Sequence, residues 1–345
     1  MDFINKRIKE LKAYSVPPVS EGEIKLDAQE NPYPVPDELR NKFSKILGSV
    51  EFNRYPDPDY KVLKKLIGSY CGLSADNILI GNGSDEIILM LLLAAGGPGK
   101  TVTCPEPVFS MYRILSEITG TSYLAVKLDK NFKLPPSKIL ATKPDIVFIT
   151  YPNNPTGNCF SEEKIRKIIQ KSRALVIIDE AYFEFSGKSL IKYVKKYDNV
   201  VILRTFSKAF SLAGIRAGYI AAGENIIKEL RKVQLPYNVS IVNQKLLEAV
   251  MKERGELLKS VKKLNSSRDR LFKKLENIKG VKPYPSKANY IFIEIDDIES
   301  VTASLKKNNI KVRQFNSPDL KDYLRVTVGT DKDNENFLNA LKSAV

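Results

Sequence analysis

The chain has 345 residues, of which 43% are hydrophobic and 28% charged, a balance typical of a globular protein with room for two domains. It contains no histidine, which excludes histidine-based catalytic triads, zinc sites and acid–base schemes. The net charge of +15 raises the alternative of nucleic-acid binding, but the lysines are spread in pairs near acidic residues within helical patterns. We therefore expect solvated helix faces and no nucleic-acid partner.

No apolar run is long enough to cross a membrane, since the longest extends only from Ile87 to Ala95. The N-terminus lacks the apolar core of a signal peptide, so we expect a cytoplasmic protein with no membrane partner. The cysteines Cys71, Cys104 and Cys159 lie far apart without a CxxC spacing. They are interpreted as reduced thiols, and no metal site is predicted.

The first part of the chain alternates helices with proline-rich loops. Hydrophobic periodicity predicts helices over residues 2–13, 37–47 and 59–70. The first is expected to end at Val16-Pro17-Pro18, and an extended segment then leads to Leu26–Pro34. A second rigid loop, Arg54–Pro58, separates the other two helices.

From residue 76, short apolar strands alternate with helices. The predicted strands are 77–80, 101–104, 122–126, 146–149, 174–178, 200–204 and 218–222, and the predicted helices are 87–95, 109–119 and 161–170. This alternation predicts an α/β fold, with a mostly parallel sheet covered by helices on both faces.

After Pro236 the elements predict a smaller α+β unit. The predicted order is helix 240–278 with a break near Gly255, strand 289–295, helix 298–307, strands 310–314 and 323–328, and helix 331–344. The N-terminal segment is expected to pack on this unit. We therefore predict a large domain at 50–236 and a small discontinuous domain at 1–49 and 237–345.

Four predicted strands end in polar residues, and ligands of open α/β sheets bind beyond the carboxyl ends of strands. These ends carry Gly81–Asp85, Asn153–Gly157, Asp179 with Tyr182, and Ser207–Lys208 followed by Arg216. Each has a simple structural explanation when taken alone, such as a turn, a helix N-cap or a solvated loop lysine. Together they supply what pyridoxal phosphate needs: an amine for its aldehyde, a carboxylate for its pyridine nitrogen, and amides, a hydroxyl and an arginine for its phosphate.

The order and spacing of these motifs resemble the fold-type I pyridoxal-phosphate aminotransferases, and most closely their histidinol-phosphate aminotransferase branch. The motifs are LDAQENPYPVP (26–36), RYPDP (54–58), GNGSDE (81–86), PNNPTG (152–157), IIDEAYFEF (177–185), TFSKAFSLAGIRAGY (205–219) and YLRVTVGT (323–330). They cover almost the whole chain.

The resemblance implies a role for each matching residue at the cofactor. Lys208 would form a Schiff base with the aldehyde and then carry the proton between substrate and cofactor. Asp179 would pair with the pyridine nitrogen, while Asn154 and Tyr182 would hydrogen-bond the ring oxygen. The phosphate and ring would be held by Ser84, Asp85, Ser207, Arg216 and Phe109, the last standing where tyrosine is common in the family.

The resemblance also implies residues for the substrate and the partner subunit. Tyr55 would reach the cofactor phosphate from the other subunit of a homodimer. Arg325 would bind a substrate carboxylate, Tyr14 and Arg313 would lie near the substrate phosphate, and Asn31 would line the entry loop. The expected substrates are L-histidinol phosphate, a phosphorylated amino alcohol, and 2-oxoglutarate, as in histidine biosynthesis.

Three alternatives remain open at this point. Threonine-phosphate decarboxylases and aromatic-amino-acid transaminases resemble this sequence too. A nucleic-acid-binding regulator with an inactive transaminase fold is of another class, and the intact Lys208 argues against it. Two further tyrosines, Tyr60 and Tyr112, are interpreted as packing residues.

Overall fold

The computed structural model describes residues 3–15, 18 and 20–345. In chain order its strands are β1 (Ile24–Leu26), β2 (Ile78–Gly81), β3 (Thr101–Glu106), β4 (Ser122–Lys127), β5 (Ile146–Thr150), β6 (Leu175–Asp179), β7 (Val200–Thr205), β8 (Gly218–Ala222), β9 (Val281–Tyr284), β10 (Tyr290–Ile295), β11 (Ile310–Gln314) and β12 (Tyr323–Thr327). They form two sheets.

The α-helices pack around these sheets. They are α1 (Lys6–Lys9), α2 (Asp37–Gly48), α3 (Lys61–Cys71), α4 (Ser84–Ala95), α5 (Met111–Thr119), α6 (Pro136–Ala141), α7 (Glu162–Lys171), α8 (Phe183–Ser186), α9 (Glu224–Leu230), α10 (Ile241–Lys252), α11 (Arg254–Leu257), α12 (Lys259–Leu275), α13 (Ile298–Lys307) and α14 (Asp331–Lys342). Within the described ranges, no helix is both long enough and apolar enough to cross a membrane.

The N-terminal helix is much shorter than predicted. α1 spans four residues where the periodicity indicated residues 2–13, and none of them is buried. A short helix is marginal without a packed face, so nothing extends α1 beyond one turn. The predicted proline break at Val16-Pro17 lies outside the described residues. The predicted break near Gly255 agrees with the structure, where α10, α11 and α12 follow one another.

The large sheet has the order β2-β8-β7-β6-β5-β3-β4, and every neighbouring pair is parallel except those that involve β8. Both faces are buried, as β6 illustrates. Val176 and Ile178 pack into one apolar cluster, and Ile177 packs into a second cluster on the opposite face. This arrangement confirms the predicted α/β fold with a mostly parallel sheet covered by helices.

The smaller sheet has the order β1-β11-β12-β10-β9. Strand β1 comes from the N-terminal segment and pairs in parallel with β11, while the other neighbours are antiparallel. The sheet buries its own apolar cluster with α12, α13 and α14. Helix α10 instead contributes Leu247 and Val250 to a cluster of the large sheet.

A buried ion pair joins the ends of β6 and β7. Glu180 follows β6 directly, and its Oε2 accepts hydrogen bonds from Nε and Nη2 of Arg204 at 3.0 and 2.8 Å. Both side chains are almost fully buried. Because neighbouring residues of a strand point to opposite faces, Glu180 lies on the other side of the sheet from Asp179. The pair therefore holds together two of the strands whose ends carry predicted site residues.

Candidate active site

A cavity of about 360 Å³ lies beyond the carboxyl ends of β2, β5, β6 and β7. This is the edge of an α/β sheet at which ligands bind. Nine of the residues predicted to bind the cofactor line it, namely Ser84, Asp85, Phe109, Asn154, Asp179, Tyr182, Ser207, Lys208 and Arg216. These residues come from five separate stretches of sequence.

Lys208 lies three residues beyond β7 and points its amine into the cavity. Its Nζ donates a hydrogen bond to the main-chain oxygen of Ala28 at 2.7 Å. Burial, followed by the nearby charge of Arg325, lowers the pKa of Lys208 to about 8. With this pKa, about a tenth of the amine is neutral at pH 7 and about half at pH 8. Only the neutral form is a nucleophile or base.

Asp179 is the last residue of β6, and its carboxylate is held from two sides. Tyr112 Oη donates a hydrogen bond to Oδ2 at 2.6 Å, and the Ala181 amide donates to Oδ1 at 3.0 Å. Burial raises the pKa of Asp179 to about 6, while these two hydrogen bonds act in the opposite direction. The side chain thus carries its charge above pH 6. Interpreting Tyr112 as a packing residue was therefore incomplete.

The N-terminus of α4 and Arg216 form an anion-binding corner of the cavity. The first-turn amides of a helix have no partner within the helix, so those of Ser84 and Asp85 are suited to a phosphate. Gly83 precedes them with φ +86°, and a Cβ at this position would lie 2.7 Å from Arg216 Nη2. The positive φ favours glycine here, and the missing Cβ leaves room for the guanidinium group of Arg216.

Arg325 reaches the cavity edge from the smaller sheet. Its Nη1 donates to Asn154 Oδ1 at 2.7 Å, and its Nη2 donates to the Asp27 oxygen at 2.5 Å. Asn154 Nδ2 in turn donates to Tyr182 Oη at 3.4 Å. Arg313 is the residue directly opposite Arg325 on β11. The two guanidinium groups therefore start from neighbouring positions on the same face of the sheet.

Comparisons with known proteins agree with this geometry. The class I and II aminotransferase family model matches residues 21–341. A histidinol-phosphate aminotransferase of Caldanaerobacter subterraneus is 39% identical over 99% of this chain and 98% of its own. The chain belongs to the class I and II aminotransferase family.

Solved structures show the same fold. The histidinol-phosphate aminotransferase of Clostridium acetobutylicum aligns with a TM-score of 0.85 at 27% identity, covering 93% of this chain and 98% of its own. The Sinorhizobium meliloti enzyme of the same name, solved with pyridoxal-5'-phosphate, aligns with a TM-score of 0.89 at 21% identity, covering 100% of this chain and 98% of its own. The predicted resemblance, the aminotransferase activity and the dependence on pyridoxal phosphate are thereby confirmed.

The residues of this aminotransferase fit the cofactor. The cavity is within the usual size range of small-molecule sites, roughly 300–1,000 Å³. A buried amine, a buried carboxylate, an aromatic ring and an anion-binding corner line the same space. Lys208 would hold the aldehyde, Asp179 the pyridine nitrogen, and Arg216 the phosphate.

Five predicted residues do not line this cavity, and one of them is Arg325, which contacts Asn154 from outside the lining. Tyr55 is 79% exposed and stacks on Tyr237 with ring centroids 4.4 Å apart. Arg313 lines a larger adjoining cleft that shares Phe109 with the cavity. The other two are Tyr14, which is 51% exposed, and Asn31, whose Nδ2 donates to Ser260 Oγ at 3.1 Å and to the Ala209 oxygen at 3.4 Å. Their functional roles remain predictions.

Several lining residues were not predicted. Thr150 ends β5 and Thr205 ends β7, so their positions at strand ends were the available signal. Gln29 lies in the motif LDAQENPYPVP and also lines the cavity. With its amide oxygen facing Arg325, that oxygen accepts from the guanidinium and the amide nitrogen donates to the Ala28 oxygen. Gln29 therefore links the segment that contacts Lys208 to the one that carries Arg325.

Proposed function

We propose that this aminotransferase transfers the amino group of L-histidinol phosphate to 2-oxoglutarate, in histidine biosynthesis. The observation that carries the proposal is the arginine pair on the smaller sheet, Arg313 opposite Arg325. Like charges in such a position destabilise a sheet unless an anion lies between them or beside them. A phosphate or a carboxylate satisfies that requirement, so one pair serves both substrates.

The location of the pair supports this assignment. Arg325 is 7% exposed, and burial followed by the charge of Arg313 lowers its pKa. Arg325 contacts Asn154 inside the cavity, whereas Arg313 lines the adjoining cleft. An anionic substrate held here would have its other end directed toward Lys208.

The chain's own residues then have distinct tasks. Bound pyridoxal phosphate supplies the aldehyde that accepts the amino group and the ring that withdraws electrons. Lys208 would take the proton from the donor carbon and deliver it to the carbon of the cofactor's former aldehyde group, since its amine is the one amine among the described residues that line the cavity. Asp179 would keep the ring nitrogen protonated. Asn154 and Tyr182 would hold the ring oxygen by hydrogen bonds.

Product analysis tests the substrate. Purified holoenzyme with 2-oxoglutarate is incubated separately with L-histidinol phosphate, L-phenylalanine and O-phosphothreonine, and glutamate and carbon dioxide are quantified. We expect L-histidinol phosphate to give the highest kcat/KM and to produce glutamate without carbon dioxide. Carbon dioxide from phosphothreonine would support a decarboxylase, and preference for phenylalanine would support an aromatic transaminase.

We also propose a homodimer with shared active sites. Tyr55, Phe52 and Leu235 are between 70% and 79% exposed, and they lie within three residues of the Tyr55–Tyr237 stack. An exposed apolar cluster of this kind is typical of a protein–protein interface. Burying it against a second copy would bring Tyr55 toward the partner's cavity, where its hydroxyl would reach the cofactor phosphate.

Mixing two inactive variants tests the shared site. Lys208→Ala and Tyr55→Ala proteins are each expected to have low activity. After subunit exchange, one of the two sites in each mixed dimer would contain both native residues, so activity should rise well above the average of the separate preparations. A mixture that stays at the average, with mixed dimers present by native mass spectrometry, would contradict the proposal.

We also propose a domain division and a cellular location. The predicted division is a large domain at 50–236 and a discontinuous small domain at 1–49 and 237–345. The pairing of β1 with β11 supports the discontinuous small domain. Because α10 contributes to the large core, we propose a boundary after this helix in place of residue 236. A cytoplasmic location suits an enzyme of amino-acid biosynthesis.

A further inference from the structure

Tyr112 joins two residues that the proposed function places at the cofactor ring. It is fully buried in α5, three residues after Phe109, and its ring meets that of Phe109 edge-on with centroids 5.6 Å apart. On its other side it stacks on Phe148 of β5 at 4.5 Å. Its hydroxyl donates to Asp179 Oδ2 at 2.6 Å. These contacts fix the phenol in one orientation.

The hydroxyl of Thr150 forms a hydrogen bond with the hydroxyl of Tyr112. Thr150 Oγ1 lies 3.0 Å from Tyr112 Oη, and Thr150 is the residue paired with Asp179 between β5 and β6. A phenol has one proton, which Tyr112 gives to the carboxylate, so the Thr150 hydroxyl must donate to Tyr112. The result is a directed chain from Thr150 through Tyr112 to Asp179.

We propose that Tyr112, supported by Thr150, is a positioning residue that holds Asp179 ionised and aimed at the pyridine nitrogen of the cofactor. The proposal rests on the proposed function, because it concerns the carboxylate that serves the bound ring. Burial raises the pKa of Tyr112 well above its ordinary value, so the phenol stays protonated and remains a donor. A hydrogen bond donated to the charged form of an acid stabilises that form.

Other groups around Asp179 also affect its ionisation. The negative charges of Asp85 on α4 and Glu180, directly after β6, oppose it. Within the described residues, further titratable or charged groups face this region. They are Glu30 after β1, Cys104 on β3, Tyr182 before α8, Lys208 after β7, Arg216 before β8, Tyr290 on β10 and Arg325 on β12. None of these changes when the Tyr112 hydroxyl alone is removed.

Tyr112→Phe removes that hydroxyl and keeps the ring. In the holoenzyme we expect the acidic limb of the kcat/KM profile to move to higher pH by about one unit, because Asp179 loses a charge-assisted hydrogen bond. The dissociation constant of pyridoxal phosphate, measured by equilibrium dialysis at pH 7, should rise about tenfold for the same reason. Thermal unfolding of the apoprotein checks that the variant is folded.

Two further variants make the test decisive. Tyr193→Phe removes a matched contact, a buried phenol that donates to Glu162 Oε1 at 2.7 Å outside the site, and it should leave both readouts unchanged. Thr150→Val should shift the acidic limb in the same direction as Tyr112→Phe, by a smaller amount. If Tyr112→Phe does not fold, the test is made with Thr150→Val. An acidic limb that coincides with that of the wild type would overturn the proposal even if kcat falls. Failure of the wild type to bind pyridoxal phosphate would instead refute the proposed function.

Discussion

Replacing Lys208 with alanine is expected to lower the rate of amino transfer by about 10⁴-fold, the upper end of what a positioned acid–base group contributes. Among the described residues that line the cavity, Lys208 is the only lysine, so no neighbouring amine can take over its role. The rate is measured in a single turnover, as the loss of the cofactor absorbance band after mixing with L-histidinol phosphate. Lys232→Ala is the control, since Lys232 is exposed and pairs with Glu229 on the surface.

The pH dependence of covalent cofactor binding is a second test of the role of Lys208. Its pKa of about 8 means that the amine is mostly protonated below pH 8 and mostly neutral above it. The rate at which apoprotein binds pyridoxal phosphate covalently should therefore rise with pH up to about 8 and then level off.

In the single-turnover experiment, a Lys208→Ala protein that keeps a tenth of the wild-type rate would contradict the role of Lys208 as the base.

Replacing Asp179 with asparagine is expected to lower kcat by about 10²–10³-fold, the range found when one preorganised electrostatic contact is removed. Asparagine has nearly the same shape but no charge, so the ring nitrogen would lose the partner that keeps it protonated. Asp179 is 4% exposed, and water therefore cannot replace the lost charge. The measurement is steady-state kcat for the saturated holoenzyme.

A matched aspartate separates this effect from general destabilisation. Asp145 precedes β5 at the opposite end of the sheet and accepts hydrogen bonds from Lys100 Nζ and the Thr101 amide, both at 2.9 Å. Asp145→Asn should weaken stability and leave kcat near the wild-type value. Equal losses of kcat in Asp145→Asn and Asp179→Asn would show that Asp179 has no special role at the ring.

The site could be predicted from the sequence because most of its residues come just after the ends of predicted strands. Val200–Thr205 is an unbroken apolar and β-branched stretch apart from Arg204, and Lys208 comes three residues later. The same logic predicted the positions of Asp179 and Asn154. The contact of Tyr112 with Asp179 could not be predicted this way, because the two residues are 67 positions apart and Tyr112 lies on a helix face suited to packing.

The sequence pattern did not predict the elements that depend on tertiary contacts. Strand β9 contains Pro283, which argues against a strand, but β9 is at the edge of its sheet where proline is tolerated. Helix α1 was instead predicted too long, and none of its four residues is buried. Periodicity indicates which face a helix would bury, and only the fold shows whether that face has a partner.

The most direct test of the central claim is the visible absorbance spectrum of purified wild-type protein, before and after addition of L-histidinol phosphate. We predict a yellow band from pyridoxal phosphate bound through Lys208, which bleaches with L-histidinol phosphate and returns when 2-oxoglutarate is added. A band that ignores L-histidinol phosphate would contradict the proposed substrate. Absence of any band after incubation with pyridoxal phosphate would contradict the assignment of Lys208.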